Sequence, residues 1–210
     1  MLRLDRFDET PLVETPFKHL VVTDFVEPDA LAAAQAAYPE VPGPGSHPPV
    51  SLRIAPPFQR LMDALEGDGF RAAVERKFGI DLSGRPTMYT VRGFCRARDG
   101  QIHTDSKTKI ITVLLYMNDT AWDSRGGRLR LLNSGDSLED YFAEVEPAGG
   151  TLLVFQRADN SWHGHHSYEG PRRAVQMNWV TDASVVAKEQ GRHGFSTGLK
   201  KLLSFGRRAS

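Results

Sequence analysis

Residues 110–118 read Ile110-Ile111-Thr112-Val113-Leu114-Leu115-Tyr116-Met117-Asn118, a short apolar and β-branched run that leads into a turn signal. Runs of similar length and composition occur at five other places, namely Met88–Phe94, Arg128–Leu132, Phe142–Val145, Thr151–Gln156 and Ala174–Val180. Clusters of Gly, Pro, Asn and Asp separate them, with no helical pattern in between. Short strands at this spacing favour an antiparallel sandwich or jelly roll.

The residues before this series have a different pattern. Leu20–Phe25 predicts one strand, and Pro28–Ala37 begins with proline and acid, which are helix-start signals. Phe58–Phe78 repeats apolar residues at i, i+3 and i+4 on both sides of Gly67, which predicts two amphipathic helices. We therefore expect a mainly β fold with flanking α-helices that cover one face of a jelly roll.

The length and composition predict one domain over residues 1–210. Its expected parts are a strand with helical support (1–86), a jelly-roll core (87–182) and a basic tail (183–210). Lys+Arg and Asp+Glu both number 26, which argues against a general attraction to nucleic acid. The single cysteine, Cys95, excludes an internal disulfide, and the first residues contain no continuous apolar segment. A cytoplasmic protein is the simplest expectation.

The tail has its own character, because from Lys188 onward Glu189 is its only acid. Ser196–Phe205 has leucines that fall mainly on one side of a short helix, with lysines opposite. Such a helix suits docking on the domain. The alternative is contact with an anionic membrane surface or an acidic partner.

Candidate metal ligands flank the central run. His103 and Asp105 are two residues apart, so on a strand both side chains point to the same face. A third ligand is available from Trp162-His163-Gly164-His165-His166, in which His163 and His165 share a face. Sequence order alone does not choose between these two histidines. Two histidines and one carboxylate form the facial triad typical of non-haem Fe(II) oxygenases.

Arg173 is a candidate anion-binding residue. It lies ten residues after His163, on a strand face shared with Val175, Met177 and Trp179, which we interpret as facing inward. A buried guanidinium needs an anion, so a dicarboxylate that reaches from the metal to Arg173 would explain both features. The alternative is a structural salt bridge to a neighbouring acid.

Taken together, these residues resemble the 2-oxoglutarate and Fe(II)-dependent dioxygenases, particularly the prolyl-hydroxylase-like branch that includes the hypoxia-sensing prolyl hydroxylases. The resemblance extends over nearly 80 residues. In chain order, the matching motifs are His103-Thr104-Asp105, Tyr116-Met117-Asn118, Gly126-Gly127-Arg128-Leu129-Arg130, Trp162-His163, Arg173 and Trp179.

The resemblance implies a cupin-like double-stranded β-helix that uses Fe(II), 2-oxoglutarate and O2 and releases succinate and CO2. It implies iron ligation by His103, Asp105 and His163, with Arg173 and Tyr116 on the far carboxylate of 2-oxoglutarate. Four further residues would line that pocket: Thr112, Leu114, Met177 and Trp179. The presence of Asp105 indicates hydroxylation, because halogenases of this superfamily replace that ligand with a small residue.

The sequence departs from the family pattern before His103, and the resemblance gives no ligand role to two further histidines. The hypoxia-sensing members have a tyrosine ten residues before the first ligand, where this sequence has Gly93. His165 and His166 would be rim or surface residues.

The substrate is left open between a peptidyl, possibly prolyl, side chain and a small molecule. The competing hypotheses are a cupin-type metal protein without 2-oxoglutarate turnover, acting as an isomerase or sensor, and a non-catalytic interaction module. The cupin-type alternative predicts no role for Arg173 or Tyr116. The full ligand set argues against the non-catalytic module, because a site that has lost turnover does not need all three ligands.

Overall fold

A computed structural model describes residues 1–119 and 121–187 of the chain. The strands are β1 (His19–Val22), β2 (Thr87–Cys95), β3 (Lys109–Tyr116), β4 (Leu129–Leu132), β5 (Tyr141–Val145), β6 (Leu152–Gln156), β7 (His163–Gly164) and β8 (Gly170–Val180). The helices are α1 (Leu4–Glu9), α2 (Pro28–Ala36), α3 (Pro56–Glu66) and α4 (Asp68–Phe78), with a 3-10 turn at Pro49–Ser51.

The strands form two antiparallel sheets. The large sheet has the order β1-β6-β3-β8-β2, and the small sheet has the order β5-β4-β7. Strand β3 is central and pairs with both β6 and β8, with Thr112 opposite Phe155 and Asn178. This arrangement confirms the predicted fold class, a mainly β jelly roll with flanking helices.

The helices pack on one face of the large sheet because their apolar sides match it. Proline occupies the first turn of α2 and of α3, where a missing N–H is tolerated. Helix α4 ends at Gly79, whose φ of +66° is a left-handed conformation that suits glycine. Phe70 on α4 lies 6.1 Å from the ring of Trp179 on β8. The helices therefore bury the odd-numbered face of β8.

A second, smaller core fills part of the space between the two sheets. It contains Tyr116 from β3, Leu131 from β4 and Phe155 from β6, all fully buried. Burying each such side chain contributes about 1.5 to 3 kcal/mol. The remaining space between the sheets is the cavity described below.

The sequence predictions for the secondary structure agree with these elements, including the helix at 28–37 and the two helices that meet at Gly67. Helix α1 and the two-residue strand β7 were not predicted. The predictions for residues 188–210, including the helix at 196–205, lie outside the described residues. None of the described helices is both long and apolar enough to span a membrane.

Candidate active site

Three predicted metal ligands lie together at one end of the space between the sheets. One ligand atom from each of His103, Asp105 and His163 lies within 4.8 Å of the other two. The two histidine residues exchange backbone hydrogen bonds, each 3.0 Å from N to O, and their rings are 4.3 Å apart. A pair of imidazoles and a carboxylate at this separation could hold one face of an octahedral Fe(II) site.

Backbone carbonyls orient both imidazoles. The Nδ1 of His103 lies 2.8 Å from the carbonyl of Gln101, and the Nδ1 of His163 lies 2.9 Å from the carbonyl of Ser161. Because a carbonyl only accepts a hydrogen bond, each Nδ1 carries the proton and leaves the Nε2 lone pair for a metal.

The carboxylate of Asp105 is held by two groups of β3. Lys109 Nζ lies 2.7 Å from Oδ1, and the hydroxyl of Thr112 donates to Oδ2. Thr112 in turn accepts a hydrogen bond of 2.8 Å from the Asn178 side chain. Burial by itself would raise the pKa of Asp105, but Lys109, His163 and these hydrogen bonds together keep the pKa below its ordinary value. The carboxylate is therefore ionised at neutral pH.

Burial, reinforced by repulsion from His103, lowers the pKa of His163 to about 4. This imidazole is neutral at pH 7 and able to coordinate. His165, the other candidate, is not part of the metal-ligand group, and its Nε2 lies 3.9 Å from the sulfur of Cys95. Of the two candidates left open by the sequence, the structure brings His163 to His103 and Asp105. His166 points elsewhere and contacts Glu139 at 2.8 Å.

A cavity of about 830 Å³ extends from this cluster between the sheets. The even-numbered residues of β8 line it, namely Arg172, Ala174, Gln176 and Asn178. Thr112 and Leu114 also line it, as predicted from the resemblance. The ring of His165 lines the wall beside Gly100, where an added Cβ would lie 2.4 Å from that ring.

The prediction that Arg173 faces the cavity is wrong. Arg173 is exposed, and its guanidinium lies 5.3 Å from the ring centre of Tyr38. Arg172 is the arginine in the cavity wall, and it is only 6% exposed. Its Nη2 donates to the Tyr116 hydroxyl at 3.3 Å, and its Nε donates to the Gly127 carbonyl at 2.8 Å.

The physical reason is the alternation of side chains along a strand. Val175, Met177 and Trp179 form an apolar face, which the sequence interpretation took for the cavity wall. That face instead belongs to the core beneath the helices. Met177 and Trp179 therefore do not line the cavity, whereas Tyr116 contributes through its contact with Arg172.

Two polar groups of the wall were not predicted from the sequence. Lys109 is the counter-ion of Asp105, and Arg92 lines the cavity from β2, the strand next to β8. The i, i+4 spacing of Asp105 and Lys109 was a weak signal. Gly93, the position of the missing family tyrosine, faces the other way, since an added Cβ would lie 2.8 Å from Val41. Arg92 is thus the cavity-facing residue next to that position.

With this geometry in view, residues 89–181 match the model of the family described as the 2OG-Fe(II) oxygenase superfamily. The matched segment contains the three candidate ligands, Arg92 and Arg172. No curated protein matches the chain by sequence.

Solved structures share the fold at low identity. A prolyl-4-hydroxylase from Pseudomonas putida has 18% identity and a TM-score of 0.56, with 85% of this chain and 93% of that chain covered. A viral collagen prolyl hydroxylase from Paramecium Bursaria Chlorella virus-1, solved with 2OG, has 13% identity, a TM-score of 0.52 and coverage of 76% and 94%. A 2OG-Fe(II) oxygenase family protein from Burkholderia pseudomallei has 15% identity, a TM-score of 0.50 and coverage of 77% and 82%.

Proposed function

We propose that His103, Asp105 and His163 bind the Fe(II) of a hydroxylase, because residues 89–181 match the model of the 2OG-Fe(II) oxygenase superfamily. Fe(II), 2-oxoglutarate and O2 are the cofactor and reactants of this superfamily. The observation that carries the assignment is the convergence of two imidazoles and an ionised carboxylate at one end of a cavity.

For the far carboxylate of 2-oxoglutarate we propose a site at the other end of the cavity. Arg172 is buried there beside the Tyr116 hydroxyl, and it takes the place that the sequence interpretation gave to Arg173. A planar guanidinium matches a carboxylate with two parallel hydrogen bonds, and the phenol adds a third donor. Arg172 and Tyr116 therefore set the orientation of the co-substrate.

When bound, the iron and 2-oxoglutarate supply the oxidation, in which one oxygen atom of O2 enters succinate and the other enters the substrate, with release of CO2. The residues of the chain contribute positions and protonation states. Lys109 and Thr112 hold Asp105 ionised and in one orientation, while Asn178 holds Thr112. Leu114 and Ala174 add apolar surface to the wall of the cavity.

For the substrate we propose a peptidyl side chain, possibly prolyl, with a small molecule as the other candidate. The likeness of the fold to two prolyl hydroxylases supports the first candidate. A cytoplasmic site of action stays a prediction that depends on the single cysteine, Cys95.

Succinate formation tests the proposal. Purified protein is incubated with Fe(II), 2-oxoglutarate, O2 and a library of prolyl peptides and small metabolites, and succinate is quantified. We expect succinate only when both Fe(II) and 2-oxoglutarate are present, with a stimulation by the substrate. Binding of Fe(II) without any binding of 2-oxoglutarate would favour the cupin-type alternative.

A further inference from the structure

Two arginines of the cavity wall lie on neighbouring strands. Arg92 on β2 is paired in register with Ala174 on β8, and Arg172 lies two residues before Ala174. Both arginines line the cavity. Their charges act on each other, because burial and then the charge of Arg172 lower the pKa of Arg92.

Neither guanidinium has a carboxylate partner among the residues that the structure describes. The ion pairs at this cavity are Arg96 with Asp99 and Lys109 with Asp105. Arg92 donates its Nε to the Ser46 hydroxyl at 2.9 Å, which leaves its two Nη groups without a described partner. Two like charges brought together in a partly buried wall are costly unless an anion lies between them.

The Tyr116 hydroxyl lies beside one of these two charges. It accepts a hydrogen bond from Arg172. Burial raises the pKa of Tyr116, while the charges of both Arg172 and Arg92 oppose that rise. Arg92 and Arg172 thus line one cavity from neighbouring strands, and the Tyr116 hydroxyl lies against Arg172.

We propose that Arg92 and Arg172 together hold the far carboxylate of 2-oxoglutarate, with Arg92 as a second residue that determines specificity for a dicarboxylate. The inference rests on the proposed function and deepens it. A carboxylate has two oxygens, so the Nη groups of Arg92 bind one while Arg172 and Tyr116 bind the other. A 2-oxo acid without the far carboxylate would leave both guanidiniums unpaired.

Calorimetry with Mn(II)-loaded protein tests this clamp, the pair of Arg92 and Arg172 on the far carboxylate, without turnover. The ligands are 2-oxoglutarate and 2-oxopentanoate, which has the same chain length and lacks the far carboxylate. We expect Arg92→Gln to lower the affinity for 2-oxoglutarate roughly ten- to a hundredfold and to leave the affinity for 2-oxopentanoate almost unchanged. Arg92→Lys should recover part of the loss, because it keeps the charge but not the planar fork.

Three further variants separate the clamp from other roles of Arg92. Ser46→Ala removes the hydrogen bond to Arg92 but keeps the charge, and Arg173→Gln removes an equal charge from the exposed face, so both should bind 2-oxoglutarate normally. A double variant combines Arg92→Gln with Arg172→Gln. Its affinity for 2-oxoglutarate should fall by a factor smaller than the product of the two single factors, since both residues act on one carboxylate.

The outcomes distinguish this inference from the proposed function. If the unchanged protein fails to bind 2-oxoglutarate, the proposed function fails and the inference falls with it. If Arg172→Gln weakens 2-oxoglutarate but Arg92→Gln does not, only the inference is overturned, and an acidic substrate becomes the candidate partner of Arg92. If Ser46→Ala lowered the affinity for 2-oxoglutarate as much as Arg92→Gln does, the inference would also be overturned, because the effect would then come from the segment around Ser46.

Discussion

The large sheet has two faces with opposite chemistry, and β8 contributes to both. Toward the helices it presents Val175, Met177 and Trp179, which are at most 2% exposed and have only apolar neighbours in their core. Toward the small sheet it presents Arg172 and Asn178, whose polar atoms bond to Tyr116 and Thr112. The first face stabilises the fold, and the second orients charged groups. A substitution on β8 should therefore affect either stability or chemistry, depending on whether its number is odd or even.

The largest effect is expected at the metal site on the cavity side. His163→Ala removes one of three ligands, so the protein should lose Fe(II) and all turnover while it keeps its fold. Metal content after dialysis, together with succinate formation, measures this. The matched control is His165→Ala, which should retain the metal. Loss of metal in the control instead would show that the third ligand was assigned to the wrong histidine.

The helix face should respond in stability alone. Trp179→Ala removes a large side chain packed on Phe70, which should lower the free energy of unfolding by about 3 to 5 kcal/mol. Urea unfolding measures the loss. Metal affinity of the folded variant, measured below the unfolding transition, should be unchanged. A large change in that affinity would mean that the two faces are coupled.

A smaller effect is expected from the hydrogen bonds behind Asp105. Thr112→Val keeps the shape of the side chain but removes the hydroxyl between Asn178 and Asp105. Metal affinity should fall by roughly 10- to 100-fold, as it does when the outer partner of a ligand is lost. Thr112→Ser keeps the hydroxyl and should bind metal normally. Equal losses in both variants would indicate a packing effect.

The last test changes only the pH, which affects the stability contributed by the histidines on the cavity side. In the metal-free protein, His163 and His165 have a pKa of about 4, against 6.5 as the ordinary value. Between these values the unfolded chain binds more protons, so stability falls as pH falls from about 6.5 to 4. Each group contributes at most about 1.4 kcal/mol per pH unit. Asp105, whose pKa is also lowered, adds to the loss only as the pH falls below about its ordinary value of 3.8.

Urea unfolding of the metal-free protein at several pH values measures that slope. His165→Gln removes one of the two histidines and should make the slope shallower. An unchanged slope in this variant would show that His165 is not held neutral by its surroundings.

The sequence predicted those features that depend on local pattern. Apolar runs identified the strands, because this pattern follows from geometry within one segment. The ligand atoms of His103 and Asp105 do lie together, although neither residue belongs to one of the strands β1 to β8. The choice between Arg172 and Arg173 depended instead on which face of β8 meets the helices, and that is decided by tertiary packing. The placement of Arg92 in the cavity wall depended on the pairing between β2 and β8, whose register also shifts between Arg92 and Phe94. A single sequence does not report such pairing.

The reciprocal hydrogen bonds between His103 and His163 have a consequence for how this protein can change. They join the peptide groups of the two histidines, so no side chain of the cavity wall takes part in that link. The spacing of the two imidazoles is therefore independent of the side chains that shape the cavity. New substrates can be accommodated by replacing wall residues one at a time, without rebuilding the metal centre at each step.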